Sequence, residues 1–423
     1  MVLAAACGSP PGPRGWAAPQ PVETQDLTLV PYKKKLFALP AGSGVAAWQF
    51  PPKEKDGYRV SEGAQSDLKA LAADLGLQGD TRQNIEDRIS ELSVEGPTIE
   101  TLKDAVDATT ADKALNNAFK SRVDAIVVGE KRALNGIRAF YGDIALSGDG
   151  RTAFVPSYGG WLFALDTTTG TTKWIADLDP MVGGATVSGN VVYVGTKSDK
   201  LYALDMASGA IASSRKLDGE IWAAPTLAAE GEDIYVPTLA GSLYRLNEEL
   251  ETVWQFEEAK GALAARPLAA GDLVYAGSWD NKLYAIDATT GEARWNIEAD
   301  NWFWSEPVVS DGGLYAASLD GKVYAVDAQT GDSRWPKPFN TGSQVRSGLT
   351  ISDGNLIVCS RDGVVRKLDL DDGTPKGELQ IGTKVEADLI TAEDGSVYAV
   401  PNQARLYIIN TSDMSAAFFE LPK

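Results

Sequence analysis

A cassette reading Ala-x-Asp-x-x-Thr-Gly-x-x-x-Trp returns along this chain about every forty residues, and no other feature restricts the fold as much. It stands intact from Ala164 to Gly170 with Trp174, from Ala285 to Gly291 with Trp295, and from Ala325 to Gly331 with Trp335. Its Asp column runs Asp166, Asp205, Asn247, Asp287, Asp327, Asp369 and Asn410, at steps of 39, 42, 40, 40, 42 and 41. Around each copy lies the same plan. A short apolar strand with a frequent Pro, as in Ala224-Pro225-Thr226-Leu227, leads through a turn such as Ser310-Asp311-Gly312-Gly313 to a strand like Leu314-Tyr315-Ala316-Ala317. Asp320-Gly321 then turns into Lys322-Val323-Tyr324-Ala325-Val326, and the Thr-Gly turn leads to the strand carrying Trp335. Alternating apolar residues between Gly and Asp turns suit half-buried antiparallel strands. Four strands per unit make one blade, and a fixed period of this length makes a propeller, an all-β scaffold whose loop-lined faces hold partners.

An eighth copy stands at the N-terminus. Trp16-Ala17-Ala18-Pro19 mirrors Trp222-Ala223-Ala224-Pro225, and Ala38 to Gly44 with Trp48 repeats the cassette with Pro40 in the Asp slot. The expected fold is therefore an eight-bladed β-propeller of four-stranded antiparallel blades. Blade one is expected over 16–50 and blades two to eight over 137–423, after an N-terminal tether over 1–15. Between blades one and two the period breaks over 51–136. There Leu68, Leu71 and Leu75, then Ile85, Ile89 and Leu92, then Leu115, Phe119 and Val123 fall on helical faces. Gly76, Gly96 and Gly129 are read as helix stops and Asp80 and Thr98 as N-caps, which predicts a helical insertion of three or four helices. It either shields a blade edge or forms an arm for a partner.

The cassette has a structural explanation. Asp and Thr in a tight turn bond nearby amides, Gly supplies the unusual dihedral, and the Trp ring is expected to be buried between blades. Ser213, Gly377 and Phe418 are expected in the Trp slot of blades three, seven and eight.

Cassette and period resemble the PQQ-like repeat of quinoprotein dehydrogenases and their non-catalytic relatives. The resemblance covers nearly the whole chain outside the insertion, and eight blades is the count in that family too. It implies one of two functions: a quinone (PQQ)-dependent dehydrogenase, or a cell-envelope scaffold like the propeller lipoprotein of the outer-membrane β-barrel assembly machine. The dehydrogenases carry a disulfide between adjacent cysteines beside the quinone. This chain has only Cys7 and Cys359, and no histidine, the commonest general base and metal ligand. The expectation is no catalytic residue, no cofactor and no metal. A net charge of −19, from 58 acidic and 39 basic residues, disfavours nucleic acid and anionic membrane surfaces as partners. A protein partner, bound by a monomer within a complex, is expected. A peptide or glycan receptor is a third reading.

Leu3-Ala4-Ala5-Ala6-Cys7 resembles the end of a bacterial lipoprotein signal, with Cys7 the lipidated residue and the Ser, Pro and Gly after it a flexible tether. Only six residues precede Cys7, without a basic or full apolar region, so either a longer precursor or an incidental Cys is implied. The precursor reading puts the protein in the bacterial cell envelope, extracytoplasmic and lipid-anchored, with Cys359 a buried thiol in an apolar strand. No stretch is long and apolar enough to span a bilayer as a helix.

The first strand of each blade is expected to start near the central channel. Aligned on the Pro column, one position reads Trp16, Tyr141, Val182, Trp222, Ala264, Trp304, Arg346 and Glu386. Two residues later it reads Ala18, Asp143, Gly184, Ala224, Arg266, Glu306, Gly348 and Asp388. One channel mouth would then carry aromatics with acids and an Arg beneath, the makings of a binding hot spot. Otherwise the rings pack between blades and the charges are merely solvated. Asn301-Trp302-Phe303-Trp304 is the densest aromatic run, and its alternating residues cannot all face one way. The partner-binding candidates are Trp16, Tyr141, Trp222, Trp302, Trp304, Arg346, Asp143, Arg266, Glu306 and Asp388.

Overall fold

Strand pairing in the computed structural model closes eight separate four-stranded antiparallel sheets in chain order. The structure describes residues 17–41, 45–52, 58–109, 112–180, 183–228, 233–382, 384–401 and 403–422. The blades run Gln20–Phe50, Ala145–Asp177, Ala185–Lys216, Thr226–Phe256, Leu268–Glu298, Val308–Asn340, Thr350–Gln380 and Ile390–Glu420. The strands of every sheet pair in sequence order, so each blade is a meander with its first strand on one edge and its fourth on the other. Alternation along the strands gives each blade two apolar faces. Adjacent faces meet in eight hydrophobic clusters, one at each seam. Val30, Phe37 and Leu39 of blade one pack on Val400, Leu406 and Leu421 of blade eight and close the ring.

The cassette works across those seams. The Asp166 carboxylate accepts from the Thr168 and Thr169 amides at 3.0 and 2.9 Å, and the Gly170 amide donates back to the Asp166 carbonyl at 2.8 Å. Gly170 has φ +71°, and a Cβ there would strike the Trp48 ring of the previous blade. The same Trp-on-Gly contact joins Trp174 to Gly209, Trp254 to Gly291, Trp295 to Gly331 and Trp335 to Gly373. Each of these indoles also donates its N–H to a carbonyl of the next blade, as Trp335 Nε1 does to Leu370 at 3.0 Å. Burial is less uniform than expected. Trp174, Trp254 and Trp335 are buried, whereas Trp48 and Trp295 are only half-buried.

One slot is misassigned by counting. In blades one to five and in blade seven the Trp, or its substitute, lies opposite the residue two before the cassette Asp position, as Ala285 faces Trp295, and a one-residue bulge follows that pair in blades two, three, four, five and seven. Blade eight has no bulge there, so Ile408 faces Ala417, and Ala417 rather than Phe418 takes the slot. Phe418 pairs with Tyr407 and is exposed.

Four helices fill the insertion: α1 (Glu62–Asp74), α2 (Gly79–Ser90), α3 (Thr98–Asp107) and α4 (Lys113–Gly136). Their ends differ from the sequence reading. The caps with side-chain bonds are Ser61, accepting from Ala64 N, and Asp112, accepting from Ala114 N and Leu115 N. Asp80 sits inside the first turn of α2, Thr98 is the first residue of α3, and Gly129 lies within α4. Val123, Val127 and Ala133 keep the buried face of α4 continuous, which outweighs the roughly 1 kcal/mol an interior Gly costs. The helices pack against the outer strand of blade two, Thr172–Asp177. Their apolar residues join Phe50 of blade one and Phe163 of blade two in one cluster. Buried Glu130 of α4 accepts from both the amide and the hydroxyl of Ser61, and the buried Tyr58 hydroxyl donates to Thr172 Oγ1 at 2.8 Å. Among the described residues no helix is long and apolar enough to cross a membrane.

Candidate functional site

The inner strand of each blade exposes alternate residues to the channel. In blade six Trp304 and Glu306 are partly exposed while Phe303, Ser305 and Pro307 are buried, as a period of two requires. The same phase in blades two, five, seven and eight brings both columns read from the sequence into one cavity of about 110 Å³. Tyr141, Trp222, Trp304, Arg346 and Glu386 line its outer part. Asp143, Arg266, Glu306 and Asp388 lie two residues deeper along the strands and line it too. The same four charged residues also line a larger, more apolar vestibule of about 900 Å³, so they form a charged waist between two halves of the channel. Trp302 stands beside the cavity. Trp16 and Cys7 lie outside the described residues.

Around the mouth the rings and cations touch in sequence. Tyr141 meets Tyr158 edge-on at 5.3 Å, and Lys197 lies over both Tyr158 at 5.5 Å and Trp222 at 5.9 Å. Trp222 donates its indole N–H to Glu220 at 2.7 Å and meets Trp279 edge-on at 6.2 Å. Trp279 stacks on Trp302 at 4.6 Å and on Trp304 at 5.4 Å. Arg346 covers the Trp304 ring at 4.3 Å and lies 3.7 Å from Glu386, which Arg361 approaches at 3.6 Å. Tyr141, Trp222, Trp302 and Trp304 therefore do not fill seams between blades; Phe303 does that, buried in the seam between blades five and six.

The sequence reading missed Trp279, which holds the stack together. Trp279 follows Ser278 in the turn between the second and third strands of blade five. Tyr158, Lys197, Leu239, Leu319 and Arg361 hold the equivalent place after Ser157, Thr196, Thr238, Ser318 and Ser360, and that Ser/Thr column is wholly buried. In each of these six blades the amide of this residue donates to the loop that leads into an inner strand, as Trp279 N does to Ala262 O at 2.9 Å. The Ser/Thr column keeps the same spacing as the Asp column, so a third aligned column would have found it.

The waist is electrostatically uneven. Burial pushes the Glu306 carboxyl up to about 7; Arg266 pulls it down, while Asp388 and Asp143 add to the rise. Asp388 is raised in the same direction, by burial first and then by Asp143, against the Gly348 amide that donates to it and against Arg266. Among the described residues no three carboxylates, thiols or imidazoles converge to hold a metal ion. Cys359 is a buried thiol whose pKa is pushed up by burial. A preformed cavity with aromatic walls and a few fixed charges is suited to gripping one projecting group.

Comparisons with known proteins bear on this frame. The family model described as outer membrane protein assembly factor BamB matches residues 158–301 and 251–417. An outer membrane protein assembly factor BamB from Yersinia pestis is 26% identical over 178 residues, which is 38% of this chain and 45% of that protein. One from Nitrosomonas eutropha is 27% identical over 153 residues, 35% of this chain and 37% of that protein. The chain thus spans less than half the length of these two relatives. Among solved structures, BamB from Moraxella catarrhalis superposes with a TM-score of 0.55 at 24% identity, covering 62% of this chain and 80% of that one. The computationally designed Ika8 protein superposes with a TM-score of 0.52 at 15% identity, covering 66% of this chain and 83% of that one. At those identities the two structures speak for the fold alone.

Proposed function

This chain belongs to the outer membrane protein assembly factor BamB family, and from that membership we propose that it is a non-enzymatic, protein-binding scaffold of the bacterial cell envelope that serves outer-membrane protein assembly. The observation that carries the reading is the family match running from blade two to blade eight, over the same blades that build the aromatic mouth. Rigid rings held by stacking lose little entropy when a partner lands on them, which favours binding over chemistry. The partner-facing residues in this reading are Tyr141, Trp222, Trp302, Trp304 and Arg346, with Asp143, Arg266, Glu306 and Asp388 beneath. The protein acts as one copy within a complex. Its membrane attachment is a lipid on Cys7, and a stable anchor there needs more than one acyl chain.

Affinity capture from detergent-solubilised envelope tests the role. A tagged chain expressed in its native host should retain components of the outer-membrane assembly machinery, and a Cys7→Ala variant should move to the soluble fraction. Capture of no such component would defeat the assembly reading. Dye-linked oxidation of alcohols or sugars with added PQQ and Ca²⁺ should stay at background, and turnover above it would favour the dehydrogenase branch instead.

A further inference from the structure

Among the described residues, acids outnumber bases in the lining of the mouth cavity. Its deep wall has three carboxylates, Asp143, Glu306 and Asp388, against one guanidinium, Arg266. The cations nearer the rim are already engaged, Arg346 by the Trp304 face and Glu386, and Arg361 by Glu386. Ser305, which lines the same cavity and is 6% exposed, has a buried hydroxyl with no protein hydrogen-bond partner. The buried Trp279 indole N–H in the adjoining stack also lacks one. Aromatic walls above unmatched carboxylates favour a cation, through the ring quadrupole and through charge pairing. The carboxylates are not arranged to chelate a metal ion, so an organic cation on an apolar stem fits better. Size points the same way. At roughly 10–15 Å³ of such space per water, about 110 Å³ admits several waters or one slender side chain, and no folded element. A chain of net charge −19 also draws basic partners at long range.

We propose that this channel mouth is a socket for the ammonium or guanidinium of a single Lys or Arg side chain projecting from a protein partner, its stem against Trp222 and its charge toward Glu306 and Asp388. The proposal deepens the scaffold reading and rests on it. Entry of the cation favours the ionised form of both carboxylates, so binding releases protons and strengthens as pH rises through neutrality. The groups facing Glu306 are Arg266, Asp388 and Asp143, and Asp388 is raised in the same direction as Glu306.

The test titrates the full chain with acetylated Gly-Lys-Gly and Gly-Arg-Gly, and with the neutral norleucine analogue, following Trp fluorescence and heat. The basic peptides should bind about tenfold more tightly than the norleucine peptide, the scale of one desolvated cation–π contact with charge pairing. The Glu306→Gln, Asp388→Asn double variant should lose that preference while keeping its near-UV circular dichroism. Equal affinity for Lys and norleucine peptides, or an unchanged preference in the double variant, overturns the proposal. Should the double variant fail to fold, the wild-type protein still decides: affinity for the Lys peptide should rise from about pH 6 to about pH 8, and a flat profile overturns it. A free polyamine such as spermidine binding more tightly than the peptides would overturn the assignment to a protein side chain. If basic peptides bind while envelope capture yields no assembly component, the socket stands and the assembly role falls. If the double variant loses the peptides yet captures the same partners, the role stands and the socket falls.

Discussion

Trp335 and Trp295 occupy the same cassette slot, yet Trp335 is 2% exposed and Trp295 only half-buried. Trp335→Ala should cost about 3–5 kcal/mol, the range for a fully buried aromatic, and Trp295→Ala clearly less. Paired chemical denaturation curves check the order, and equal losses would mean that the ring-on-Gly contact outweighs burial. A second single-residue effect sits in the channel. Glu306 has a folded pKa of about 7, above the ordinary carboxylate value of 4.5. The folded state therefore holds the extra proton, and the stability it brings is fully present below about pH 4.5 and lost as pH rises through about 7. Glu306→Gln removes that dependence, so the wild-type protein should lose stability relative to the variant between acid and neutral pH. Denaturation midpoints of both proteins across that window measure it; a constant difference would contradict the raised pKa. At this scale the site was largely legible, because strand alternation from a known Pro fixes which residues face the channel. Trp279 was legible only as the residue after the Ser/Thr column, because its reach into the stack depends on the docking of a turn to the loop ahead of an inner strand, which is a tertiary contact.

Elements were legible where a period governs them and illegible where geometry depends on one inserted residue. The blade strands follow from alternation, and the apolar stripes of α1, α2 and α4 follow from helical spacing, except that Leu115 of α4 is exposed. The missing bulge in blade eight, which moves Ala417 into the Trp slot, leaves no mark in a count of residues. Nor does the stripe reveal what it packs on. Taken as a separate unit, residues 51–136 look removable, because blade one is complete before them. In the structure Leu68, Phe119 and Val123 share one cluster with Phe50, Phe163 and Leu165. Replacing residues 58–136 with a short Gly/Ser linker would strip that side of both blades. The deletion variant should lose near-UV circular dichroism and unfold with a shallower denaturant slope than the full chain. A native-like spectrum with a sharp transition would show that the helices merely cover a finished propeller.

Over the whole molecule, the ring is closed by side-chain contacts and not by a shared sheet among the described residues. Every sheet takes its four strands from one continuous segment, so no strand of blade one completes blade eight. Among the described residues, blade one is held to blade two by the large cluster that includes the helices, and to blade eight by the smaller set around Val30, Phe37, Val400 and Leu406. The Glu23 and Glu393 carboxylates, one from each of these two blades, also crowd there and raise the Glu23 pKa by mutual repulsion. Each seam in a repeat array contributes its own term, so the seam with the least packing and a like-charge pair should open first. Two equally buried leucines separate that from a general loss of stability: Leu406 at the closing seam and Leu243 in the seam between blades four and five. Both Leu→Ala changes should cost about 2–5 kcal/mol globally. Only Leu406→Ala should speed amide hydrogen exchange in the strands of blades one and eight at denaturant levels where the other blades stay protected. Uniform acceleration around the ring in both variants would mean that the propeller opens as one unit, with no weak seam.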